Sequence, residues 1–455
     1  MAYRSINPYS GEQLAEYPYI TDNECIEAID RSAAAFNKWR KTELKVRSEL
    51  LHSYSAELLD KKERCASLMT LEMGKPFKQA LAEVEKSARA CTYYADNAAE
   101  FLEPVLVETP SSKSRILYEP QGTVFAIMPW NFPFWQVIRC LAPAVMSGNC
   151  VILKHASNVP LCALILEELF RVAGAPGGLF QNLFITHSQA ADLIGSARVR
   201  SVSLTGSNIA GEIIAARAGS SVKKCVLELG GSDPFVVFAD ADLERAADGA
   251  VTGRFQNNGQ SCIASKRLFV EDAVYDRFMD LFIPKVRALR TGDPMDPATD
   301  IGPLVNRDAV AELRKQVSAS LDMGARVICG ELHSKSGDNF FDPMVLEDVP
   351  ANSPLACEET FGPVLPVFRF NKYEELILQL NSTVYGLGSS VWTSDSQLMQ
   401  RIVSDIDAGT VSINGFTRSD PMLPFGGVKE SGYGRELSHY GIMEFVNIKT
   451  VSVFE

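Results

Sequence analysis

Two doubly wound α/β units with a small β extension form the fold class that this sequence predicts, and three observations carry it. From Val124 onward, short apolar runs alternate with helical segments, the pattern of a parallel sheet covered by helices. A second series of the same kind begins after Glu228. At 455 residues the two series fit two units of similar size better than one very wide sheet, and no internal repeat, low-complexity tract or long linker separates them.

The chain opens its regular pattern at Asp22 and stays helical to about Glu103, punctuated by Gly74-Lys75-Pro76. Ile26, Ile29, Ala33, Phe36 and Trp39 recur at three- and four-residue spacing, one apolar stripe on a helix capped by Thr21 or Asp22. Second and third helices are expected over 48–69 and 78–102. After Pro104 the β-branched and aromatic run 115–127, with a Pro/Gly turn inside it, predicts one strand leading into another. Buried strands follow at 124–127, 150–153, 183–185 and 202–204, with helices at 134–145, 161–173, 188–197 and 208–218. The second series places strands at 234–238, 267–270, 326–328, 364–368 and 389–392, and helices at 243–255, 273–289 and after Tyr373.

Composition narrows the function classes. A net charge of −12 argues against nucleic acid or an anionic membrane as partner, since either calls for a basic face. An anionic substrate would need a local cationic pocket. The ten cysteines contain no C-x-x-C pair and no metal-spaced cluster, so zinc is not expected, and so many unpaired thiols suit a reducing cytoplasm. The most apolar stretch, 124–138, is interrupted by Pro129, Asn131 and Pro133, and the N-terminus lacks a secretion pattern, which together predict a soluble protein.

Four local patterns could carry chemistry. Cys262 lies behind a polar turn, Asn257-Asn258-Gly259-Gln260-Ser261, where a thiol can be held at the mouth of a site; a lone cysteine is more often a small core residue. Pro129-Trp130-Asn131-Phe132-Pro133 fixes an amide between two prolines, either to satisfy buried backbone or as a rigid oxyanion donor. Glu228 stands in an apolar strand that ends at Gly230-Gly231, either salt-bridged or raised by burial into the range of a general base. No G-x-G-x-x-G or Walker loop is present, yet Thr205-Gly206-Ser207 sits at a strand-to-helix junction, as a plain helix cap or as a diphosphate seat.

In this order, with Leu227-Glu228-Leu229-Gly230-Gly231, Gly259-Gln260-Ser261-Cys262, Glu358-Glu359-Thr360-Phe361-Gly362-Pro363 and Pro424-Phe425-Gly426-Gly427-Val428-Lys429-Glu430-Ser431-Gly432, the chain resembles the aldehyde dehydrogenase superfamily from end to end. The resemblance implies Rossmann-like domains: residues 1–105 and 121–229 bind cofactor, 230–435 carry catalysis, and 106–120 with 436–455 bridge copies into a homodimer or homotetramer. It implies that Cys262 attacks the aldehyde, that Asn131 and the Cys262 N–H hold the oxyanion, and that Glu228 activates the water that releases the acid, without metal. NAD would be held by Ile127, Trp130, Lys154, Ser157, Gly206, Ser207, Leu229, Glu359 and Phe361, and Glu436 would relay protons.

Departures from the family pattern refine the expectation. Many members carry Pro-x-Glu after the lysine, where this chain has His155-Ala156-Ser157; without that carboxylate, NADP is tolerated beside NAD. Arg139 stands where succinate semialdehyde dehydrogenases place an arginine against the substrate's distal carboxylate, a planar bidentate partner. Gln256 replaces a second arginine found in some of them, and Ser419 completes the carboxylate site. The Lys154-His155 run, Gln256 and the tail 434–441 look most like the bacterial NAD-linked succinate semialdehyde dehydrogenases. The expected reaction is therefore succinate semialdehyde to succinate. The alternatives are a broad aliphatic or aromatic aldehyde dehydrogenase and, in another class, a non-catalytic binding protein on the same fold.

Overall fold

The computed structural model describes residues 2–110, 112–332 and 336–454. The first large sheet has six strands, in spatial order Gly432–Tyr433, Lys224–Glu228, Val199–Thr205, Thr123–Met128, Cys150–His155 and Phe180–Asn182. All run parallel except the two-residue edge strand, which lies antiparallel to Lys224–Glu228. Ile127 is level with Lys154 on one side and Leu204 on the other, and Thr205 is level with Glu228. The carboxyl ends of four neighbouring strands thus share one edge, where doubly wound sheets bind their ligands.

The second sheet has seven strands, in the order Arg326–Cys329, Met344–Glu347, Val364–Phe370, Ser265–Glu271, Asp233–Val237, Gly388–Trp392 and Thr410–Ile413. Only its first pair is antiparallel. A separate three-stranded sheet joins Val446–Val453, Ser112–Pro120 and Val105–Thr109. This is the doubly wound α/β architecture read from the sequence. One assignment changes: Gly432–Tyr433, which falls with the second unit by its position in the chain, completes the edge of the first sheet.

The Asp22–Trp39 helix starts at Thr21, whose hydroxyl accepts from the Glu24 N–H while the Glu24 carboxylate takes the Thr21 N–H, a reciprocal cap. Its buried face is Cys25, Ala28, Ile29, Ser32, Ala35 and Trp39; Ile26, expected inside, is exposed. Small residues let the helix approach the sheet closely along a face that bulk alone does not mark. The helix expected over 48–69 is two, Leu44–Asp60 and Lys62–Met73, broken at Lys61 with neither glycine nor proline to signal it. The strand expected at 183–185 is Phe180–Asn182; residues 183–185 are buried beside it, and apolar burial does not distinguish a strand from a packed connection. Charge-rich helices at Arg307–Asp322 and Ser396–Asp405, opened by Asn306 and Asp395 as caps, and the Ala2–Ile6/Gln13–Pro18 hairpin add to the expected elements.

One helix carries a single charge into the interior. Trp135–Met146 is buried on every side, with Arg139 its only charged residue. Its start is anchored by Glu83, which accepts the N–H groups of Phe134 and Trp135 at 2.9 and 3.0 Å and pairs with the buried Lys75. A carboxylate at a helix N-terminus satisfies orphan donors and complements the dipole.

Candidate active site

The segment leading to Cys262 is held rigid before any side-chain chemistry is considered. After the Leu243–Phe255 helix, Asn257, Asn258 and Gly259 adopt φ of 56°, 58° and 71°, a left-handed run tolerated by asparagine and glycine. The Asn257 amide donates to the carbonyls of Asn131 and Gln260 at 2.8 and 2.9 Å. That of Asn258 donates to Gly74 and Pro303, both at 3.0 Å. A Cβ at Gly259 would lie 2.4 Å from the Gly362 carbonyl oxygen. Arg254, fully buried, spends its guanidinium on the carbonyls of Val364, Thr360, Gly259 and Gly362, which offsets the cost of desolvating the charge.

Cys262 is partly buried at the end of this loop. Lys266, entirely inaccessible, donates to the carbonyls of Ser261 and Cys262, each at 2.7 Å, and its ammonium is 3.1 Å from Glu359. Burial pushes the thiol up to about 12, Glu228 and Glu359 adding to the shift while Lys266 and Arg139 oppose it. The shift favours the thiol over the thiolate, and attack then calls for a base to take the proton. Lys266 is a site residue that the sequence motifs do not single out; a Lys266-Arg267 pair inside an apolar strand is the signal, because buried cations demand partners.

The Asn131 amide is buried, accepts from the Gln136 amide at 3.0 Å and donates one N–H to the Gln260 carbonyl at 3.1 Å. His155 steadies the turn that carries it. The Ala156 N–H donates to Nδ1 at 2.9 Å, so Nε2 bears the proton and faces the Pro133 carbonyl at 2.9 Å. Burial holds this imidazole at about 4, neutral throughout the physiological range.

Glu228 is 1% exposed and neither carboxyl oxygen has a hydrogen-bond partner. Burial first, then the charge of Glu436, raises its pKa well above the usual carboxylate range; Arg139 and Arg435 pull the other way. Glu436 is equally buried and also raised, chiefly by burial. Arg139 Nε lies 2.8 Å from Glu436 Oε2, within ion-pair distance although the N–H is not aligned as a hydrogen bond. One guanidinium therefore serves two buried carboxyls that cannot both ionise cheaply.

A cavity of about 1120 Å³ is lined by four residues expected at the site, Cys262, Arg139, Gln256 and Ser419. Lys86, Arg89, Trp135 and Gln136 line it too, and no motif in the sequence marks them. The helix Phe77–Phe101 reads as scaffold in the sequence, yet Glu83 lies on its buried face and Lys86 one turn further along beside it. Charges at or near the apolar stripe of an amphipathic helix are the available warning.

The remaining expected residues stand at the sheet edge and beside Gly230-Gly231, outside the cavity lining. Ser207 caps the Asn208–Gly219 helix, accepting the Ala210 N–H at 3.3 Å, and is exposed, with Ile209 and Ile213 offering apolar surface beside it. Lys154 is half-buried at the strand end, with Ser157 exposed next to it. Glu359 accepts the Gly231 N–H at 3.1 Å, and a Cβ at Gly230 would lie 2.6 Å from its other oxygen, so glycine is what admits the carboxylate. The rings of Trp130 and Phe361 meet edge to face at 5.8 Å, Leu229 packs its methyls onto Gly211, and Gly206 donates to the Glu228 carbonyl at 3.0 Å. The exposed N-terminus of the Asn208–Gly219 helix, the apolar surface of Ile209 and Ile213 beside it, the Lys154 ammonium at the same sheet edge and the Glu359 carboxylate held by Gly231 and Lys266 form an arrangement with room for a nicotinamide dinucleotide. Among the described residues no cluster of metal-ligating side chains is found, and no helix is long and apolar enough to cross a membrane.

Comparison with known proteins agrees with this geometry. The sequence profile of the Aldehyde dehydrogenase family matches residues 1–451. The chain is 45% identical over 451 residues to a probable succinate-semialdehyde dehydrogenase [NADP(+)] of Synechocystis, covering 99% of both chains. It is also 45% identical over 459 residues to succinate-semialdehyde dehydrogenase [NADP(+)] 1 of Mycobacterium tuberculosis, again covering 99% of each. A crystal structure of succinic semialdehyde dehydrogenase from Streptococcus pyogenes, in complex with NADP+ as the cofactor, superimposes with a TM-score of 0.97 at 38% identity over the whole of both chains.

Proposed function

This chain belongs to the aldehyde dehydrogenase family, and from that premise we propose that it oxidises succinate semialdehyde to succinate with a nicotinamide dinucleotide, NADP or NAD. The observation that carries the reading is a cavity whose lining brings Cys262 together with Arg139, Gln256, Ser419 and Lys86 in a chain of net charge −12. Such a pocket suits an aldehyde with a distal carboxylate.

Glu228 takes the thiol proton, and sulfur adds to the aldehyde carbon. The second N–H of the Asn131 amide and the Cys262 backbone N–H stabilise the oxyanion. Ile127, Trp130, Lys154, Ser157, Gly206, Ser207, Leu229, Glu359 and Phe361 would hold the nucleotide, whose nicotinamide supplies the acceptor for the hydride as a thioester forms on Cys262. Having passed the first proton to Glu436, Glu228 draws another from water as oxygen attacks the thioester and returns it to the departing sulfur, which releases the acid and restores the thiol. Glu436, sharing Arg139 with Glu228, carries the proton onward.

A steady-state panel of short aldehydes with both nucleotides tests the assignment. Succinate semialdehyde is expected to exceed butanal in kcat/KM by at least roughly 30-fold, the low end of a charge-pair contribution. Parity between the two would assign the chain to the broad-specificity class, a reading favoured by Gln256, which stands where a second arginine would strengthen the anion site.

Arg139→Ala has a composite expected outcome. With the cation gone, both carboxyls rise further, Glu228 stays protonated to higher pH, and the rising limb of the kcat/KM profile moves to alkaline pH for every aldehyde. Any loss beyond this that is confined to succinate semialdehyde measures direct contact with the distal carboxylate. Equal loss on butanal would assign Arg139 wholly to the glutamate pair.

Ten unpaired thiols suit a reducing cytoplasm. The strand Val105–Thr109 and the end of the chain expose Leu106, Ile448, Val453 and Phe454, an apolar sheet surface suited to a second copy in a homodimer or homotetramer.

A further inference from the structure

We infer that Lys86, together with Ser419, is the anchor for the substrate's distal carboxylate and the main determinant of the preference for an anionic aldehyde. The inference deepens the succinate semialdehyde reading and rests on it. Lys86, on the Phe77–Phe101 helix, lines the same cavity as Cys262, and its ammonium donates to Ser419 Oγ at 2.8 Å. The Trp135 indole N–H donates to the same oxygen at 2.9 Å, and the ammonium lies 4.2 Å from the Trp135 ring centroid. Two donors fill the acceptor positions of the Ser419 hydroxyl, which leaves its own O–H to be donated. Lys86 keeps two further N–H groups. The pair therefore has three donors left for a carboxylate, enough for three of its roughly four lone-pair sites.

Of the other cations around the cavity, Arg89 is solvent-exposed, and Arg139 and Arg418 are engaged elsewhere. Arg139 is committed to Glu436 at 2.8 Å and shares its charge with Glu228. Glu83 is held by Lys75 and two backbone N–H groups, Asp300 by Lys78 at 2.6 Å, and Asp96 by His52 at 2.9 Å. Arg418 stacks over Phe416 at 4.0 Å. Facing Lys86 are Glu83 and Arg89 on its own helix, Arg139 on the Trp135–Met146 helix, and Asp420 next to Ser419. Burial, then Arg139, brings the ammonium down to about 7, opposed by Glu83 and Asp420. A carboxylate arriving beside it supplies the missing counter-charge and holds the proton on. A neutral aldehyde does neither.

The test compares kcat/KM for succinate semialdehyde and butanal in wild type, Lys86→Met and Lys86→Arg, and follows the wild-type ratio from pH 6 to 9. Lys86→Met is expected to lower the semialdehyde-to-butanal ratio by roughly 30-fold or more, carried mainly by KM for the semialdehyde. Lys86→Arg, which restores the charge, is expected to recover a large part of it. In wild type the ratio should fall as pH rises through about 7, because Lys86 loses its proton while effects on Cys262 and Glu228 cancel between the two aldehydes. An unchanged ratio in Lys86→Met, or a flat wild-type ratio across the pH range, would overturn the inference while leaving the semialdehyde assignment standing. Should wild type itself show no preference for succinate semialdehyde, the assignment fails, and this inference with it.

Discussion

Cys262→Ala is expected to lower aldehyde-dependent reduction of the nucleotide by roughly 10⁴-fold or more, the scale seen when a covalent nucleophile is removed. Cys262 ends a loop held by its neighbours: the Asn257 and Asn258 amides, the Arg254 guanidinium and the Lys266 ammonium bond to backbone groups, and none depends on the sulfur. The substitution removes the reacting atom and leaves its surroundings in place. Nucleotide binding, followed by ligand-induced change in tryptophan fluorescence, should stay within about threefold of wild type, since no interaction that holds the nucleotide is altered. Substantial turnover in the alanine variant would rule out the covalent route.

Glu228→Gln is the second large effect, expected at roughly 10²- to 10⁴-fold in steady-state turnover, the range for a positioned general base. Its signature is kinetic. If thioester hydrolysis is the step most dependent on Glu228, mixing enzyme, aldehyde and nucleotide should give a burst of reduced nucleotide approaching one equivalent per site, followed by a slow steady state. Absence of a burst with equal loss in both phases would move the main role of Glu228 to thiol deprotonation.

The same substitution makes a stability prediction whose sign follows from burial. The folded-state pKa of Glu228 is raised above its unfolded value, so its contribution to stability is complete below the unfolded pKa, about 4.3, and is lost as pH rises through the folded pKa. Glutamine has no such dependence. The Tm of Glu228→Gln should match wild type most closely near pH 4 and exceed it increasingly toward alkaline pH, a trade of stability for function. A Tm difference independent of pH would contradict a raised pKa.

Much of this site is legible in the chain because its parts are local. Asn131 between two prolines, Glu228 before Gly230-Gly231, and Cys262 behind the Asn257-Asn258-Gly259 turn are each announced by neighbours that dictate backbone conformation. The two parallel sheets follow from the alternation of apolar runs and helices, and the register then aligns Ile127, Lys154, Leu204 and Glu228 near one edge. Small elements and apolar connections mislead where bulk and burial disagree: Ile26 points outward while Ser32 is buried, and residues 183–185 are buried without forming a strand.

What the sequence determined by itself is the set of chemical parts: a thiol, an amide and a carboxylate placed at turns and strand ends by short-range backbone preferences, in the order of a known family. What the tertiary structure decided is their electrostatic state. Arg139 meets Glu436 and Lys86 meets Ser419, 333 residues away along the chain, and Lys266 covers the carbonyls behind the thiol. Desolvation and charge pairing depend on what surrounds a group in space, and that is set by packing between distant segments. The carboxyl raised at Glu228, the thiol raised at Cys262 and the ammonium lowered at Lys86 are properties of the assembled cavity.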